Sequence, residues 1–585
     1  MTKLRKDIAK ADCWNLEALY PSLAAWQKDF DKPDALQELL ALQGKLDLTS
    51  LPKALHLYFN LQRQGEKLYT WAHLKHDEDI TDSTYKIAHE KAQNRLQLLA
   101  QKASWLEPEI LEMQETIVLA QELQEFRVYL EKLFALKKHH LPAREEELMA
   151  LALQPLSTAY KSFSSLTNAD FQFDKVSDSQ GSLQELSHAY YGLHLQSKDR
   201  ELRKNTFKTY HKKYSSFKNT LCDLLQGKIS AHLFEAKARR FDSCLEAALK
   251  PKNIPLSVYH SLIKAVKSHL QPMTDYCAFR KNLLGYEDLH LYDMNVILAH
   301  DYKIPYVKAE ELVIKSVQPL GEEYQDTLRK GLHSGWVDRF ENKGKRSGAY
   351  SSGCFDSPPY ILMNYKEILR DVFTLGHEAG HSMHSHYSRK HQPYHYSDYP
   401  IFVAEVASTF NEQLLFNQML KESGSSAERN ALIQSQIDNI RATLFRQTMF
   451  AEFELFLHTE VEEGRPLTPE ILEEKYFGLL KTYFPSVITL DEEVAIEWAR
   501  IPHFYYNFYV YQYATGLSAA IALSQKVLNG GDKERNAYLN FLKGGSSKYP
   551  IDLLKEAGVD MTTTAPFEDA LAYFAQLTRE LAVSN

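Results

Sequence analysis

The chain of 585 residues has few cysteines and no long uninterrupted apolar segment. Its five cysteines are odd in number, widely spaced and without a C-x-x-C pair, so neither a disulfide framework nor a cysteine-ligated metal is indicated. No segment offers the roughly 18 uncharged apolar residues that a membrane-spanning helix needs, and the polar start of the chain shows no secretory signal. We therefore expect a soluble protein of a reducing, cytoplasmic compartment, with no membrane partner.

The chain also has no excess of basic over acidic residues, with 68 Lys and Arg against 76 Asp and Glu. The formal net charge is -8 and the pI is about 6.3, which gives no overall attraction to phosphate backbones, so we expect no nucleic-acid partner. The hydrophobic fraction of 44% and the charged fraction of 25% are typical of globular proteins. Because single hydrophobic cores stop growing near roughly 250 to 300 residues, at least two packed units are expected.

Helical periodicity covers most of the chain. Apolar residues recur at spacings of three and four through the first 160 residues, from 197 to about 247, and from 365 onward. The segment 110–120 is one example, with polar residues between its apolar positions. These patterns predict amphipathic helices.

Strand patterns are short and few. Period-two alternation over 171–176 predicts one strand, with a domain boundary nearby. Strand-like runs follow at 289–292 and over 336–350, where residues 341–344 indicate a hairpin turn. The fold predicted from the residues is mainly α with a small β element.

The run His377-Glu378-Ala379-Gly380-His381 carries the strongest chemical signal. Residues four apart lie on one face of a helix, so both imidazoles can point at one metal ion while Glu378 projects toward its water. Catalytic zinc takes three protein ligands and leaves a fourth position for water, whose pKa falls to roughly 7. We therefore predict one Zn²⁺ per chain, with His377 and His381 as ligands and Glu378 as the general base.

A third ligand must come from another element, and the candidates are Asp398, Glu405 and Glu412. The longer motif with a third histidine is excluded, because Tyr387 occupies that position. Glu405 and Glu412 are seven residues apart in a helical pattern, so both fall on one face. We favour Glu405 as the ligand and Glu412 as a supporting carboxylate that orients a ligating histidine.

Two further segments could contact a substrate. Residues 503–513 would place Tyr506, Tyr509 and Tyr513 along one helical stripe, although such aromatic stripes usually serve packing. The segment Gly348–Ser351, which contains Tyr350, could be an edge strand that pairs with a peptide backbone, or an ordinary turn.

Together, these motifs resemble those of the oligoendopeptidase F and thimet oligopeptidase family of zinc peptidases. The order in which they occur along the chain matches the oligoendopeptidase F branch of this family. The resemblance covers most of the chain and is carried by Gly348–Ser351, Pro359–Asn364, Asp371–His384, Phe402–Thr409, Ile501–Tyr506 and Gly544–Ser547. It implies His377, His381 and Glu405 as zinc ligands, and a bowl-like helical metallopeptidase with a deep substrate channel that admits short peptides. It also implies an N-terminal helical domain over 1–185 and a zinc-metallopeptidase catalytic domain over 186–585.

The resemblance also gives the aromatic segment a role, because family members use a histidine and tyrosines there to hold substrate and stabilise the oxyanion. On this sequence it implies His503 and one or more of Tyr506, Tyr509 and Tyr513 for that role, and we predict His503 and Tyr513 as catalytic residues beside Glu378. The substrate-binding residues that we predict are Tyr350, Tyr506 and Tyr509.

The predicted function is a zinc-dependent oligoendopeptidase that hydrolyses internal bonds of short peptides, with Glu378 moving a proton from water to the leaving amine. One alternative is a zinc carboxypeptidase of related helical fold, which would not cleave a peptide blocked at both ends. The other is a helical binding protein with an incidental H-E-x-x-H, which would purify without stoichiometric metal. The sequence does not indicate an oligomeric state.

Overall fold

The computed structural model describes residues 3–296 and 303–584 and is built mainly of α-helices. The helices are α1 (Leu23–Phe30), α2 (Leu36–Leu40), α3 (Leu51–Glu78), α4 (Ser83–Lys102), α5 (Leu106–Glu112), α6 (Arg127–Ala135), α7 (Ala143–Leu156), α8 (Thr158–Ser165), α9 (His188–Leu195), α10 (Arg200–Ser215), α11 (Lys218–Ala238), α12 (Cys244–Leu249), α13 (Leu256–Ser268), α14 (Gln271–Leu284), α15 (Tyr306–Ser316), α16 (Glu322–His333), α17 (Leu369–His391), α18 (Ile401–Glu422), α19 (Ser426–Ile440), α20 (Arg446–Glu462), α21 (Pro469–Tyr483), α22 (Tyr511–Asn529), α23 (Asp532–Leu542), α24 (Pro550–Glu556) and α25 (Ala565–Ser584). The strands are β1 (Val176–Ser177), β2 (Leu183–Gln184), β3 (Leu289–His290), β4 (Val337–Asp338), β5 (Tyr350–Ser352), β6 (Tyr360–Leu362) and β7 (Ile488–Thr489). The prediction of a mainly α fold with a small β element is confirmed. In the part of the chain that is described, no helix has both the length and the apolar character needed to cross a membrane.

The chain forms two compact units, each assembled from three separate stretches. Unit 1 comprises Met1–Ala143, Asp301–Lys421 and Leu523–Val559, and unit 2 comprises Arg144–His300, Glu422–Ala522 and Asp560–Asn585. Residue 185 lies inside unit 2, so a cut there does not separate these units. The linear division into domains at 185 stays a prediction.

A three-stranded sheet in unit 1 lies beside the helix that carries the H-E-x-x-H motif. Its strand order is β4-β6-β5, with β6 parallel to β4 and antiparallel to β5. The hairpin predicted over 336–350 is therefore wrong, because β4 and β5 both pair with β6 instead of with each other. Of the two alternatives for Gly348–Ser351, an edge strand or an ordinary turn, the edge strand is found, as β5 over Tyr350–Ser352.

The central strand of this sheet is built into an aromatic core of unit 1. Tyr360 and Leu362 are completely buried in the same cluster as Trp26 and Trp71. The two indole rings stack with their centroids 6.1 Å apart, and their N–H groups donate to backbone carbonyls at 2.9 and 3.0 Å. Because these large side chains are both buried and hydrogen-bonded, they give the sheet a rigid support.

The continuous helix predicted over 110–120 is wrong. Helix α5 ends at Glu112, Met113 is the extended C-cap, and a 3₁₀ turn follows over Glu115–Leu119. Ile110 and Ile117 nevertheless enter one buried cluster. A short α-helix followed by a 3₁₀ turn therefore buries the same apolar positions as one long helix would. For this reason the periodicity of the sequence could not distinguish the two structures.

The strand predicted over 171–176 is also largely wrong, because only Val176 lies in a strand. The alternating aromatic side chains instead pack on α10, where Phe173 stacks on Tyr210 at 5.0 Å and Phe171 meets Tyr214 edge-on at 5.1 Å. The strand predicted at 289–292 is confirmed over Leu289–His290, which pairs with β7.

Candidate metal centre and active site

Two helices of unit 1 carry the predicted metal-binding residues. Helix α17 presents His377, Glu378 and His381, and α18 presents Glu405. Helix α17 buries one apolar face, and the basic residues of its last turn suit the negative end of the helix dipole. The motif is helical as predicted, although the helix begins at Leu369 and not at Tyr365.

The two helices come very close at Gly380. A Cβ atom built on Gly380 would lie 2.6 Å from the Cα of Ser408 and 2.8 Å from the carbonyl oxygen of Ala407, both in α18. Only glycine permits such an approach between two backbones. Since Glu405 lies one turn before Ser408, this contact fixes the carboxylate beside the two histidines.

Replacing Gly380 by Ala is expected to push α17 and α18 apart and to destabilise the fold by about 1 to 3 kcal/mol, the usual cost of overpacking. The free energy of unfolding and the affinity of the site for a metal ion should both fall. The matched control is Gly478→Ala in α21, where an added Cβ meets no atom within 4 Å and alanine should be neutral or stabilising. Equal behaviour of the two variants would contradict the close-approach argument.

The ligand atoms of His377, His381 and Glu405 lie within 4.8 Å of one another. Nε2 of His377 is 3.6 Å from Oε2 of Glu405, and Nε2 of His381 is 3.9 Å from Oε1. Neighbouring ligand atoms in a tetrahedral zinc site are about 3.3 Å apart, so small side-chain rotations bring these atoms to bonding geometry. Two imidazoles and one carboxylate are a known donor set of catalytic zinc. The residues present therefore fit a zinc ion.

Glu412 contacts the other ring nitrogen of His377. Nδ1 of His377 lies 2.5 Å from Oε1 of Glu412, and because an ionised carboxylate only accepts, Nδ1 carries a proton and Nε2 is the nitrogen through which the ring would bind a metal. Burial alone would lower the pKa of His377, but the hydrogen bond to Glu412 and the charge of Glu412 outweigh it and raise the pKa to about 9. This geometry suits Glu412 for the supporting role expected from the sequence.

Glu378 is buried between the motif helix and the sheet. Burial raises the pKa of its carboxyl group to about 7, against the opposing effect of His377. The carboxylate also accepts a hydrogen bond from the backbone N–H of Ser351 on β5. The hydroxyl of Ser351 lies 2.8 Å from that of Ser382, the residue after His381. Strand and helix therefore hold the base together, an arrangement that sequence spacing could not reveal.

Tyr350, on the same strand, is anchored inside unit 1. Its hydroxyl donates to Oδ2 of the buried Asp77 at 2.8 Å, and its ring stacks on His73 with the centroids 5.8 Å apart. Its predicted contact with substrate stays a prediction.

The four predicted residues of the aromatic segment come together in unit 2. Nε2 of His503 lies 3.3 Å from the hydroxyl of Tyr513. The ring of His503 is nearly parallel to that of Tyr509, with centroids 6.2 Å apart, and meets Tyr506 edge-on at 5.6 Å. The structure therefore groups these side chains around one imidazole.

The helical stripe predicted for these tyrosines is wrong, because α22 begins only at Tyr511. Asn507 and Phe508 adopt left-handed backbone angles, with φ of 52° and 56°, which are unfavourable for residues other than glycine. The N–H of Phe508 donates to Oε1 of the buried Glu454 at 2.6 Å, and burial raises the pKa of Glu454 to about 8. A distant side chain thus stabilises the turn that groups the tyrosines.

Replacing Glu454 by Ala is expected to leave the Phe508 N–H buried without its acceptor, which costs roughly 1 to 3 kcal/mol. Hydrogen exchange at Phe508 should accelerate and the free energy of unfolding should fall. The matched variant is Glu454→Gln, whose amide oxygen can still accept, so exchange should remain slow. An unchanged exchange rate in the alanine variant would exclude the anchoring role.

The site combines three possible metal ligands, His377, His381 and Glu405, with a second glutamate, Glu378, next to the first histidine. On a mainly helical fold, this arrangement defines an H-E-x-x-H metallopeptidase site. Residues 193–573 match the sequence model of peptidase family M3, and residues 112–173 match that of oligopeptidase F. The chain therefore belongs to peptidase family M3 and is a metallo-endopeptidase, which confirms the predicted resemblance.

Relatives match almost the whole chain. Oligopeptidase PepF of Bacillus subtilis is 42% identical over 590 residues, which is 99% of this chain and 88% of the relative. The oligoendopeptidase F homolog of Borreliella burgdorferi is 38% identical, over 97% of this chain and 98% of its own length. A crystal structure of oligoendopeptidase F from Enterococcus faecium has a TM-score of 0.72 and 34% identity, covering 95% of this chain and 98% of that one. A crystal structure of a Chlamydophila abortus protein has a TM-score of 0.95 and 44% identity, covering 100% of both chains.

Proposed function

We propose that this metallo-endopeptidase is a zinc-dependent oligoendopeptidase that hydrolyses internal bonds of short peptides. The observation that carries the proposal is the grouping of His377, His381 and Glu405 within 4.8 Å, with Glu378 on the same helix as the histidines. A zinc ion bound there would polarise the scissile carbonyl and lower the pKa of a neighbouring water.

Glu378 moves the proton in this reaction. Its carboxylate takes a proton from the attacking water and later delivers it to the leaving amine. The Ser351 N–H and the surrounding helix and strand orient the carboxylate for both transfers. Glu412 keeps the imidazole of His377 in the tautomer that leaves Nε2 available.

Strand β5 offers a backbone edge for a peptide. The amide of Ile361 on β6 donates to the carbonyl of Trp336 on the β4 side at 2.7 Å. Ser351, which lies opposite Ile361, therefore directs its backbone groups away from β6, because these groups alternate along a strand. Its N–H faces Glu378, and its carbonyl is our candidate acceptor for a substrate N–H in a strand-addition mode.

The aromatic group of unit 2 supplies the remaining assignments. We assign His503 and Tyr513 to stabilising the oxyanion, for which neutral donors are typically worth roughly 2.7 to 4 kcal/mol each. Tyr506 and Tyr509 are assigned to holding the substrate. Family membership and the contacts of these side chains with His503 support the assignments.

The proposal is tested with peptides of increasing length that are acetylated at one end and amidated at the other. Mass spectrometry should detect internal cleavage of the short members, slower cleavage as length grows, and dependence on one zinc per chain measured by metal analysis. Release of single C-terminal residues from unblocked peptides, without cleavage of the blocked ones, would instead establish the carboxypeptidase alternative.

A further inference from the structure

Unit 2 contains a cavity of about 60 Å³ with strongly basic walls. The ionisable side chains among its described lining residues include three arginines, Arg441, Arg446 and Arg500, and one carboxylate, Glu497. Most other lining residues are apolar or aromatic. The volume is several times the roughly 10 to 15 Å³ that a single water needs, so a small polyatomic ligand fits.

Glu497 cannot neutralise all three arginines. Oε1 accepts from Nη2 of Arg446 at 2.6 Å and from Nη2 of Arg500 at 2.9 Å, while Oε2 accepts from the hydroxyl of Tyr476 at 2.7 Å. Burial alone would raise the pKa of Glu497, but the two guanidinium groups hold it well below its usual range. One ionised carboxylate is therefore shared between two cations.

The third arginine, Arg441, donates through Nη2 to Oδ1 of the lining residue Asn295 at 3.2 Å, and among the described residues its only carboxylate partner lies outside the lining and is shared. Nε of Arg441 donates to Asp438 at 3.3 Å, but Asp438 also lies 3.9 Å from the guanidinium of Arg280 and accepts from Tyr276. The cavity region is thus left with an excess of positive charge.

Donor groups are also left over. Among the described residues, Nη1 of Arg441 and both Nε and Nη1 of Arg446 form no hydrogen bond, whereas Arg500 is also hydrogen-bonded to Tyr210. The side chains of these arginines are 10%, 29% and 21% exposed, so their guanidinium groups are not sealed from solvent. Paired N–H groups of guanidinium match the oxygens of carboxylates and phosphates.

We propose that this cavity binds a small oxyanion, of which inorganic phosphate and a short carboxylate are the two chemical forms to distinguish. The site is separate from the metal centre and goes beyond the proposed function. Arg500 ends a 3₁₀ helix, and the next one, Pro502–Tyr505, carries His503. A bound oxyanion that contacts Arg500 therefore stabilises the segment that presents the aromatic group.

The test is calorimetric titration of the full-length protein, with its metal retained, with inorganic phosphate, sulfate or acetate at constant ionic strength. Anion binding at the metal centre would be unaffected by a substitution in the cavity, so the cavity variants separate the two sites. Saturable one-to-one binding is expected, together with slower hydrogen exchange over 500–505. If phosphate and sulfate bind more tightly than acetate, the ligand is a tetrahedral oxyanion. If acetate binds more tightly, the ligand is a carboxylate.

Arg446→Met should weaken binding at least tenfold while leaving Glu497 paired with Arg500 and Tyr476. Arg446→Lys, which keeps the charge but loses the planar fork, should bind with intermediate affinity. The control is Arg465→Met, since Arg465 is paired with Glu460 away from the cavity and its loss should leave binding unchanged. Binding that is not saturable, or that is as tight in Arg446→Met as in the wild type, would overturn the proposal.

Discussion

Replacing Glu378 by Gln is expected to lower kcat on a doubly blocked peptide by roughly 100- to 10,000-fold, the usual contribution of a general acid–base group. Glutamine has nearly the same shape, and its amide oxygen can still accept from the Ser351 N–H, so the local packing should survive. What it cannot do is take a proton from water and return it to the leaving amine. The loss should therefore fall on kcat, with KM little changed.

The measurement needs zinc content and peptide hydrolysis on the same protein sample. Glu378→Gln should retain one zinc per chain, since Glu378 is not in the proposed ligand set. The control is Glu131→Gln, which removes an exposed carboxylate paired with Arg127 and should leave both readouts at wild-type values. A zinc-loaded Glu378→Gln protein with wild-type kcat would rule out the assigned base.

The local part of the site could be predicted from the sequence because a helix converts spacing directly into geometry. Two histidines four residues apart must share a face wherever the helix lies. The same spacing argument predicted that Glu405 and Glu412 lie on one face of the next helix. In the structure both contact the imidazole of His377, Glu405 near Nε2 and Glu412 at Nδ1. Here the local pattern contained the needed information.

The non-local contacts of the site could not be predicted in this way. The Ser351–Ser382 hydroxyl pair joins residues 31 positions apart, and neither serine carries a signal that distinguishes it from a surface serine. Gly380 did offer a signal, because a glycine inside a helix costs about 1 kcal/mol relative to alanine and usually has a packing reason. The sequence did not, however, indicate that Gly380 packs against α18.

The aromatic segment shows a different limit. Its residues were predicted as a helix because Tyr506, Tyr509 and Tyr513 have helical spacing. The left-handed angles of Asn507 and Phe508 depend on Glu454, which is 54 positions away from Phe508. Tertiary hydrogen bonding overrode the local pattern, yet the same side chains still gather around His503. The compact units are likewise assembled from separated stretches, which no linear boundary could describe.

Replacing Glu405 by Ala is expected to weaken zinc binding far more than replacing Glu412 by Gln. The first change removes one of three proposed ligands, and the two histidines that remain cannot complete a catalytic zinc site. The second keeps an oxygen that accepts from Nδ1 of His377 but removes its charge. Loss of such a supporting partner typically costs 10- to 100-fold in metal affinity or activity. Competition with a chromophoric chelator measures both affinities.

Asp398 provides the matched control, because it was the other candidate carboxylate in the sequence. It is exposed and accepts from the backbone N–H of Tyr399, and it lies outside the group formed by the two histidines and Glu405. Asp398→Ala should therefore bind zinc as the wild type does, and zinc should raise its unfolding temperature equally. Because zinc stabilises the folded state by an amount that depends on its affinity, Glu405→Ala should lose most of this shift. Equal zinc loss in Asp398→Ala and Glu405→Ala would mean that the third ligand is wrongly assigned.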